Sequence, residues 1–247
     1  MNIKQYLDST YLKTPEQAGI SIEENNKIVK FFIQEAIDEK FKLIMIRPDY
    51  VSMAKKMITD ANSKVTIGTV IGFHEGTKSL SEKLAEAHQA IADGADDLDF
   101  VCNYEAFKNG AIDIVKNEIL EGTKLGLAHH KIVKWIIEVA ALNDDQIMQL
   151  SALIKNVVIA NFDEENYSSV FVKSSTGFYK TENNLPNGAT VPTIILMLEN
   201  SAPLPVKAAG GVRTYEEAIQ MLNLGVKRIG TSAAKAIANG EESNHAY

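Results

Sequence analysis

The chain has a single cysteine, Cys102, among 247 residues. No internal disulfide can form, and zinc sites built on paired cysteines are excluded. The five histidines, His74, His88, His129, His130 and His245, form no HExxH pattern. No GxGxxG follows the first strand candidate, so a dinucleotide-binding fold loses its signature. No apolar run approaches the roughly 20 residues of a membrane helix. The opening MNIKQYLDST carries Asp8 and no apolar stretch, so it does not read as a secretory signal. Positive charge is in deficit: 25 Lys and Arg against 32 Asp and Glu leave a formal charge of −7. A chain of that sign is a poor partner for a nucleic-acid backbone, although it can hold one phosphate in a local pocket. The expectation is a cytoplasmic protein with small-molecule partners and neither membrane nor nucleic acid among them.

Apolar residues make up 45% and charged residues 23%, an ordinary globular balance that excludes disorder of the whole chain. The length suits one α/β barrel as well as one or two smaller domains. Short strand-forming runs recur at 6–10, 42–46, 65–71, 97–102, 132–138, 170–174, 204–208 and 226–230. Several are apolar throughout rather than alternating, as in strands covered on both faces. Helical patterns lie between them. Leu80, Leu84, Ala87 and Ile91 step along one helix face, with Ser79 and Glu82 as a capping box. Thr214 and Glu217 form another ahead of Ala218, Met221 and Leu222. Ile28, Phe32 and Ala36 mark a face between the first two strands, and 116–127 and 144–153 supply two more helices. Pro192 interrupts 189–198, where it fits a first helical turn. Eight strand–helix alternations predict a (β/α)8 barrel, with an open doubly wound sheet as the competing architecture. One domain over 1–247 is expected, with a polar tail from 239 that frays.

Catalytic groups of such a barrel sit at the C-terminal ends of its strands. The ionisable residues inside or just after the strand candidates are Asp8, Asp99, Lys134, Glu138, Lys173 and Lys207. A lysine within Val170-Phe171-Val172-Lys173 is costly in a dry interior, because desolvation disfavours the ammonium. Taken singly, each lysine reads as a strand-edge residue or one that snorkels to water. Three lysines and two aspartates converging on one barrel mouth read instead as a functional site. Neighbouring ammoniums disfavour each other's protonation, and burial pushes the same way. One lysine then becomes a neutral amine able to attack a carbonyl and form a Schiff base, while a carboxylate shuttles protons. Asp99 is the candidate shuttle. Asp97 shares its strand face by alternation, and Asp96 faces the other way. The acidic cluster also admits a solvated edge paired in salt bridges, or a carboxylate metal site that lacks a suitably spaced histidine.

Glycines follow the last three strands: Ser174-Ser175-Thr176-Gly177 after Lys173, Ala209-Gly210-Gly211-Val212-Arg213 after Lys207, and Gly230-Thr231-Ser232 at the end. Each alone is a tight turn. Together, at the place where barrels commonly bind phosphate, they predict a phosphate cradle.

These residues carry a resemblance. Val172-Lys173-Ser174-Ser175-Thr176-Gly177 resembles the KTSTG signature of deoxyribose-phosphate aldolases, with Ser174 for the threonine. The run from Val206 to Arg213 resembles their VKxAGGVR, 94–99 their GADExD, and 7–12 their DxTxL opening. The resemblance extends from about residue 6 to about residue 235. It implies a (β/α)8 class I aldolase without metal or cofactor, commonly a homodimer. Such an enzyme cleaves 2-deoxy-D-ribose 5-phosphate to glyceraldehyde 3-phosphate and acetaldehyde. It implies Lys173 as the Schiff-base lysine and Asp99 with Lys207 as the proton relay. Thr176, Gly177, Gly210, Gly211, Arg213, Gly230 and Ser232 match phosphate-side positions, and Asp8, Thr10 and Lys134 match pocket positions. Some members end in a tyrosine that visits the active site, as Tyr247 would here. The chain departs from the pattern at Met45, at Glu138-Val139-Ala140-Ala141-Leu142 in place of ETGxL, at Phe178 for a lysine, and at Ala233 for a second serine. Substrate preference is therefore less fixed than reaction class, and a weaker grip on phosphate is expected. Two other readings stay open: a different Schiff-base or transaldolase-like enzyme, and a silent phosphosugar-binding barrel, against which stands the stability cost of a purposeless buried amine.

Overall fold

The computed structural model describes residues 2–182 and 185–241. The strand-forming runs become β1 (Leu7–Thr10), β2 (Leu43–Ile46), β3 (Thr66–Ile71), β4 (Asp97–Val101), β5 (Ile132–Ile136), β6 (Val170–Lys173), β7 (Val206–Ala209) and β8 (Arg228–Thr231). They pair in parallel and in chain order, and β8 returns to β1 with Asp8 opposite Gly230. At least one helix stands in every crossover between them. The architecture is a closed (β/α)8 barrel, and the open sheet is excluded.

The helices begin where their side chains can cap them. Ser79 accepts from the Glu82 N–H while Glu82 accepts from the Ser79 N–H, opening Leu80–Asp93. The same reciprocal pair at Thr214 and Glu217 opens Tyr215–Leu224. Pro192 lies in the first turn of Val191–Ser201, where it removes no intrahelical bond.

Alternation along each strand sorts residues between two compartments. Leu98, Phe100, Val133 and Trp135 face outward into the main core beneath the helices. The stacked rings of Phe100 and Trp135 belong to it, and the Trp135 indole donates to the Thr123 hydroxyl at 2.9 Å. The inward set is divided. Leu43, Met45 and Val70, joined by Leu12, fill the β2–β3 side with apolar volume. The opposite side, from β4 around to β1, carries charge: Asp97, Asp99, Lys134, Lys173, Lys207, Arg228 and Asp8, all buried.

Several boundaries and faces differ from the sequence expectation. Strand β5 stops at Ile136, and Glu138 turns left-handed at φ 57° rather than ending the strand. Strand β7 begins at Val206 because Leu204 closes a turn, its N–H donating to the Ser201 carbonyl. The buried residues of Leu80–Asp93 are Lys83, Ala87 and Ala90, with Leu80 and Leu84 only half-buried. A lysine can take that core-facing place because Glu118 meets its ammonium at 2.6 Å and the Val101 carbonyl accepts at 2.8 Å. In Ile22–Glu39 the buried residues are Asn25, Val29, Ile33 and Ala36, and Ile28 and Phe32 flank them. The last helix, Ala234–Asn239, includes Asn239 and is capped by left-handed Gly240. Residues 242–247, and the expectation for Tyr247, lie outside the described residues.

Candidate active site

The inward-facing charges form one continuous network at the barrel centre. Lys173 on β6 and Lys207 on β7 stand opposite each other in register. Both donate to the same oxygen, Asp99 Oδ2, at 2.8 and 3.0 Å. Lys134 on β5 donates to Asp99 Oδ1 at 2.8 Å and to Asp97 Oδ2 at 2.6 Å. Lys207 also reaches Asp8 Oδ2 at 2.7 Å. Arg228 completes the ring, with Nε and Nη2 at 2.8 and 2.6 Å from Asp8 Oδ1 and Nη2 at 3.5 Å from Asp97. Asp8 on β1 is held between β2 and β8 by strand pairing, and its own carbonyl accepts from the Thr10 hydroxyl.

Above this network lies a pocket at the C-terminal mouth. Its walls are the three glycine turns: Thr176, Gly177 and Phe178 after β6, 209–213 after β7, and Gly230, Thr231 and Ser232 at β8. Thr10 and Leu12 line the β1 side and Asn187 the far side. Positive φ at Gly177, Gly210 and Gly211 (82°, 78° and 85°) makes these turns, a conformation that side chains other than glycine resist. Among the described residues of the charged network, Lys173 alone lines the pocket. Arg213 stands exposed at its rim, and its N–H is taken by Glu217 at 2.7 Å.

The electrostatics set Lys173 apart. Burial is the largest influence and lowers it, Asp99 opposes, and the ammoniums of Lys207 and Lys134 push the same way as burial; the result is about 8. At pH 7 about a tenth of Lys173 is then a neutral amine, against a few in ten thousand for an ordinary lysine. Burial would raise Asp99, but Lys134, Lys173 and Lys207 together hold its carboxyl well below the usual range. Asp8 is likewise held low, by Arg228, Lys207 and Lys134 against burial. Lys134 is pushed above the usual lysine range, since Asp97 and Asp99 outweigh its burial. The site therefore offers one amine nucleophile over a fixed ionic floor.

Residues 16–240 match the family described as DeoC/LacD family aldolase. The chain belongs to this aldolase family. It is 36% identical to the protein named deoxyribose-phosphate aldolase from Thermococcus gammatolerans, over 97% of this chain and 96% of that one. It is also 36% identical to deoxyribose-phosphate aldolase 1 of Staphylococcus aureus strain MSSA476, over the whole of both chains. The solved structure titled as a unique tetrameric structure of the Aeropyrum pernix deoxyribose phosphate aldolase gives a TM-score of 0.76 at 26% identity, covering 96% of this chain and 89% of that one.

Within this aldolase barrel, sequence reasoning brought together Lys173, Asp99, Lys207, Lys134 and Asp8, and placed the glycines around one opening. It missed Arg228, although Arg228 shares the inward parity of Gly230 within β8. It also missed Asn187, whose side chain donates to the Gly177 carbonyl at 3.3 Å. Phe178, which stands where some members have a lysine, lines the pocket and joins an aromatic stack: it meets Phe73 edge-on at 5.1 Å and His74 nearly parallel at 5.7 Å. Ala233 is buried, its N–H donating to the Thr231 hydroxyl. Among the described residues, no helix is long and apolar enough to cross a membrane.

Proposed function

We propose that this protein is a class I aldolase of carbohydrate degradation that cleaves 2-deoxy-D-ribose 5-phosphate to D-glyceraldehyde 3-phosphate and acetaldehyde, with Lys173 as its Schiff-base lysine. The observation that carries the reading is the depressed amine of Lys173, the one member of the buried network that opens to the glycine-walled pocket.

The Lys173 nitrogen adds to the C1 aldehyde, and loss of water from the carbinolamine gives the imine. The protonated imine then accepts the electrons of the C2–C3 bond as the C3 hydroxyl gives up its proton. Glyceraldehyde 3-phosphate departs and an enamine remains. Protonation at C2 and addition of water release acetaldehyde and return the amine. Asp99 and Lys207 serve the proton transfers. While Lys173 is an ammonium, Asp99 Oδ2 is tied to two donors. When the nitrogen becomes a neutral carbinolamine, one charge leaves that oxygen and its basicity rises, so Asp99 takes a proton at the stage that needs one. Lys134, Asp8 and Arg228 hold this pair in place. The phosphate end lies against Thr176, Gly177, Gly210, Gly211, Gly230 and Ser232, with Arg213 at the rim and Thr10 beside the reacting carbons. The enzyme acts in the cytoplasm as a homodimer, readings supported by the family resemblance and checked by fractionation and light scattering.

Borohydride reduction in the presence of acetaldehyde tests the assignment, since it converts an imine into a stable secondary amine. The wild type should be labelled at Lys173 and lose activity. Lys173→Leu should give neither adduct nor cleavage while remaining folded by circular dichroism. Normal adduct yield in Lys173→Leu would overturn it.

A further inference from the structure

Glu138 carries a fully buried carboxyl just beyond β5. Here the β5–β6 ladder continues past both strands: the Ile137 N–H donates to the Lys173 carbonyl and the Val139 N–H to the Ser174 carbonyl, each at 3.0 Å. The side chain between them reaches the next turn. Glu138 Oε2 accepts from the Thr176 N–H at 3.2 Å and from the Thr176 hydroxyl. The oxygen of that hydroxyl accepts in turn from the Phe178 N–H at 3.0 Å. One carboxyl oxygen thus ties down Thr176 directly, and Phe178 through its hydroxyl, in the turn that follows the lysine strand.

The near end of that turn is fastened to β7, where the Ser174 hydroxyl donates to the Ala209 carbonyl at 2.8 Å and accepts from its N–H at 2.9 Å. At Gly177 the Asn187 side chain donates to the carbonyl, but a Cβ placed there would meet no heavy atom within 4 Å, so side-chain packing adds nothing at that point. The far end is held by the Phe178 ring against Phe73 and His74. A buried carboxyl is a costly device for closing a turn. Burial pushes this one up to about 7, against the hydrogen bonds of Thr176 and the charge of Lys173. Its other oxygen, Oε1, has no hydrogen-bond partner among the described residues, and the nearby Ser175 hydroxyl adds a smaller influence that lowers the carboxyl, so the bonds to Thr176 are its main tether.

We propose that Glu138 is a positioning residue for the phosphate end of the substrate: by tethering Thr176 it fixes the 174–178 turn that walls the glycine-lined pocket above Lys173. The proposal rests on the aldolase reading above. It places the effect of Glu138 on binding of the remote phosphate rather than on chemistry at the lysine nitrogen, because the tether acts on the wall and not on the pocket floor.

The test compares cleavage of deoxyribose 5-phosphate with that of unphosphorylated deoxyribose, alongside borohydride trapping with acetaldehyde. Glu138→Ala should raise KM for the phosphorylated substrate about tenfold or more, the loss expected for hydrogen bonds to a charged acceptor. Its kcat/KM on deoxyribose should change far less, and trapping at Lys173 should persist. Thr176→Val, which removes the hydroxyl alone, should shift KM the same way. Glu138→Gln keeps an oxygen able to accept both bonds and should restore the wild-type KM. Equal losses on both substrates, or a Glu138→Gln variant as impaired as Glu138→Ala, would overturn the positioning role. Absence of any trapped adduct in the wild type would instead remove the aldolase reading, so the two failures are told apart.

Discussion

At Lys173 three influences meet on one nitrogen, and their order has consequences. Burial lowers it most, Asp99 resists, and Lys207 adds to the lowering. The rate of acetaldehyde trapping should therefore rise with pH through a midpoint near 8 and level off above it, as the neutral amine becomes the dominant form. From the sequence, the neighbouring ammonium and burial act together; in the structure burial comes first. Lys207→Met separates the two. If burial dominates, the midpoint moves upward but stays well below the ordinary lysine value of about 10.4. A midpoint at the ordinary value would make Lys207 the principal cause. A linked effect acts on stability. The folded-state pKa is depressed, so this group's contribution is present above the unfolded pKa and is lost as pH falls through about 8. At neutral pH the lysine is thus held at a cost, the usual position of a reactive group in a packed interior.

Helix Leu80–Asp93 shows how far an element can be read from its own residues. Its start was legible because capping is local: Ser79 and Glu82 are three residues apart. Its buried face was not, since Lys83 is satisfied by Glu118, 35 residues away on helix Ile112–Ala128. The same division holds across the molecule. The lysines and aspartates of the site stood out as charges inside apolar runs, and parity placed Asp97 with Asp99. Arg228 carried only the parity it shares with Gly230 in the run 226–230, and its pairing with Asp8, 220 positions distant, was not legible. The strand order was legible from the count and spacing of the runs, whereas the tether from Glu138 to Thr176 required knowing how two loops meet. The Lys83–Glu118 pair also joins two helices to the end of β4, for Glu118 Oε1 accepts from the Asn103 N–H at 2.5 Å. Burial raises the Glu118 carboxyl and Lys83 opposes it. Lys83→Met should cost about 3–5 kcal/mol, the penalty for stranding one partner of a buried pair. Lys83→Met combined with Glu118→Leu should recover much of that loss. Denaturant unfolding checks both, and a single variant within experimental error of the wild type would rule out the pair as a stabilising strut.

On the scale of the whole barrel, the interior is held by charge where most proteins of this architecture stack branched apolar side chains. Asp8, Asp97 and Asp99 face Lys134, Lys173, Lys207 and Arg228 inside the closed sheet. Lys134 is the hinge of this arrangement, since it bonds both Asp97 and Asp99 and is fully buried. Removing it leaves two carboxylates short of a partner, and the penalty for an uncompensated buried charge is about 3–5 kcal/mol. The effect should depend on pH in a defined direction. The folded-state pKa values of Asp8 and Asp99 are depressed, and Lys134 contributes to both. Their stabilisation is present above the unfolded value of about 3.9 and is lost as pH falls through the lower folded values. Wild-type barrel should therefore keep its far-ultraviolet circular dichroism into strongly acidic solution. In Lys134→Met the two carboxyls rise toward the ordinary range, so acid unfolding should begin at a higher pH. Replacing an exposed lysine such as Lys56, which pairs with Asp60 on the surface, should leave the acid midpoint unmoved. Coincident acid transitions for wild type and Lys134→Met would show that the interior network does not govern the acid limit of the fold.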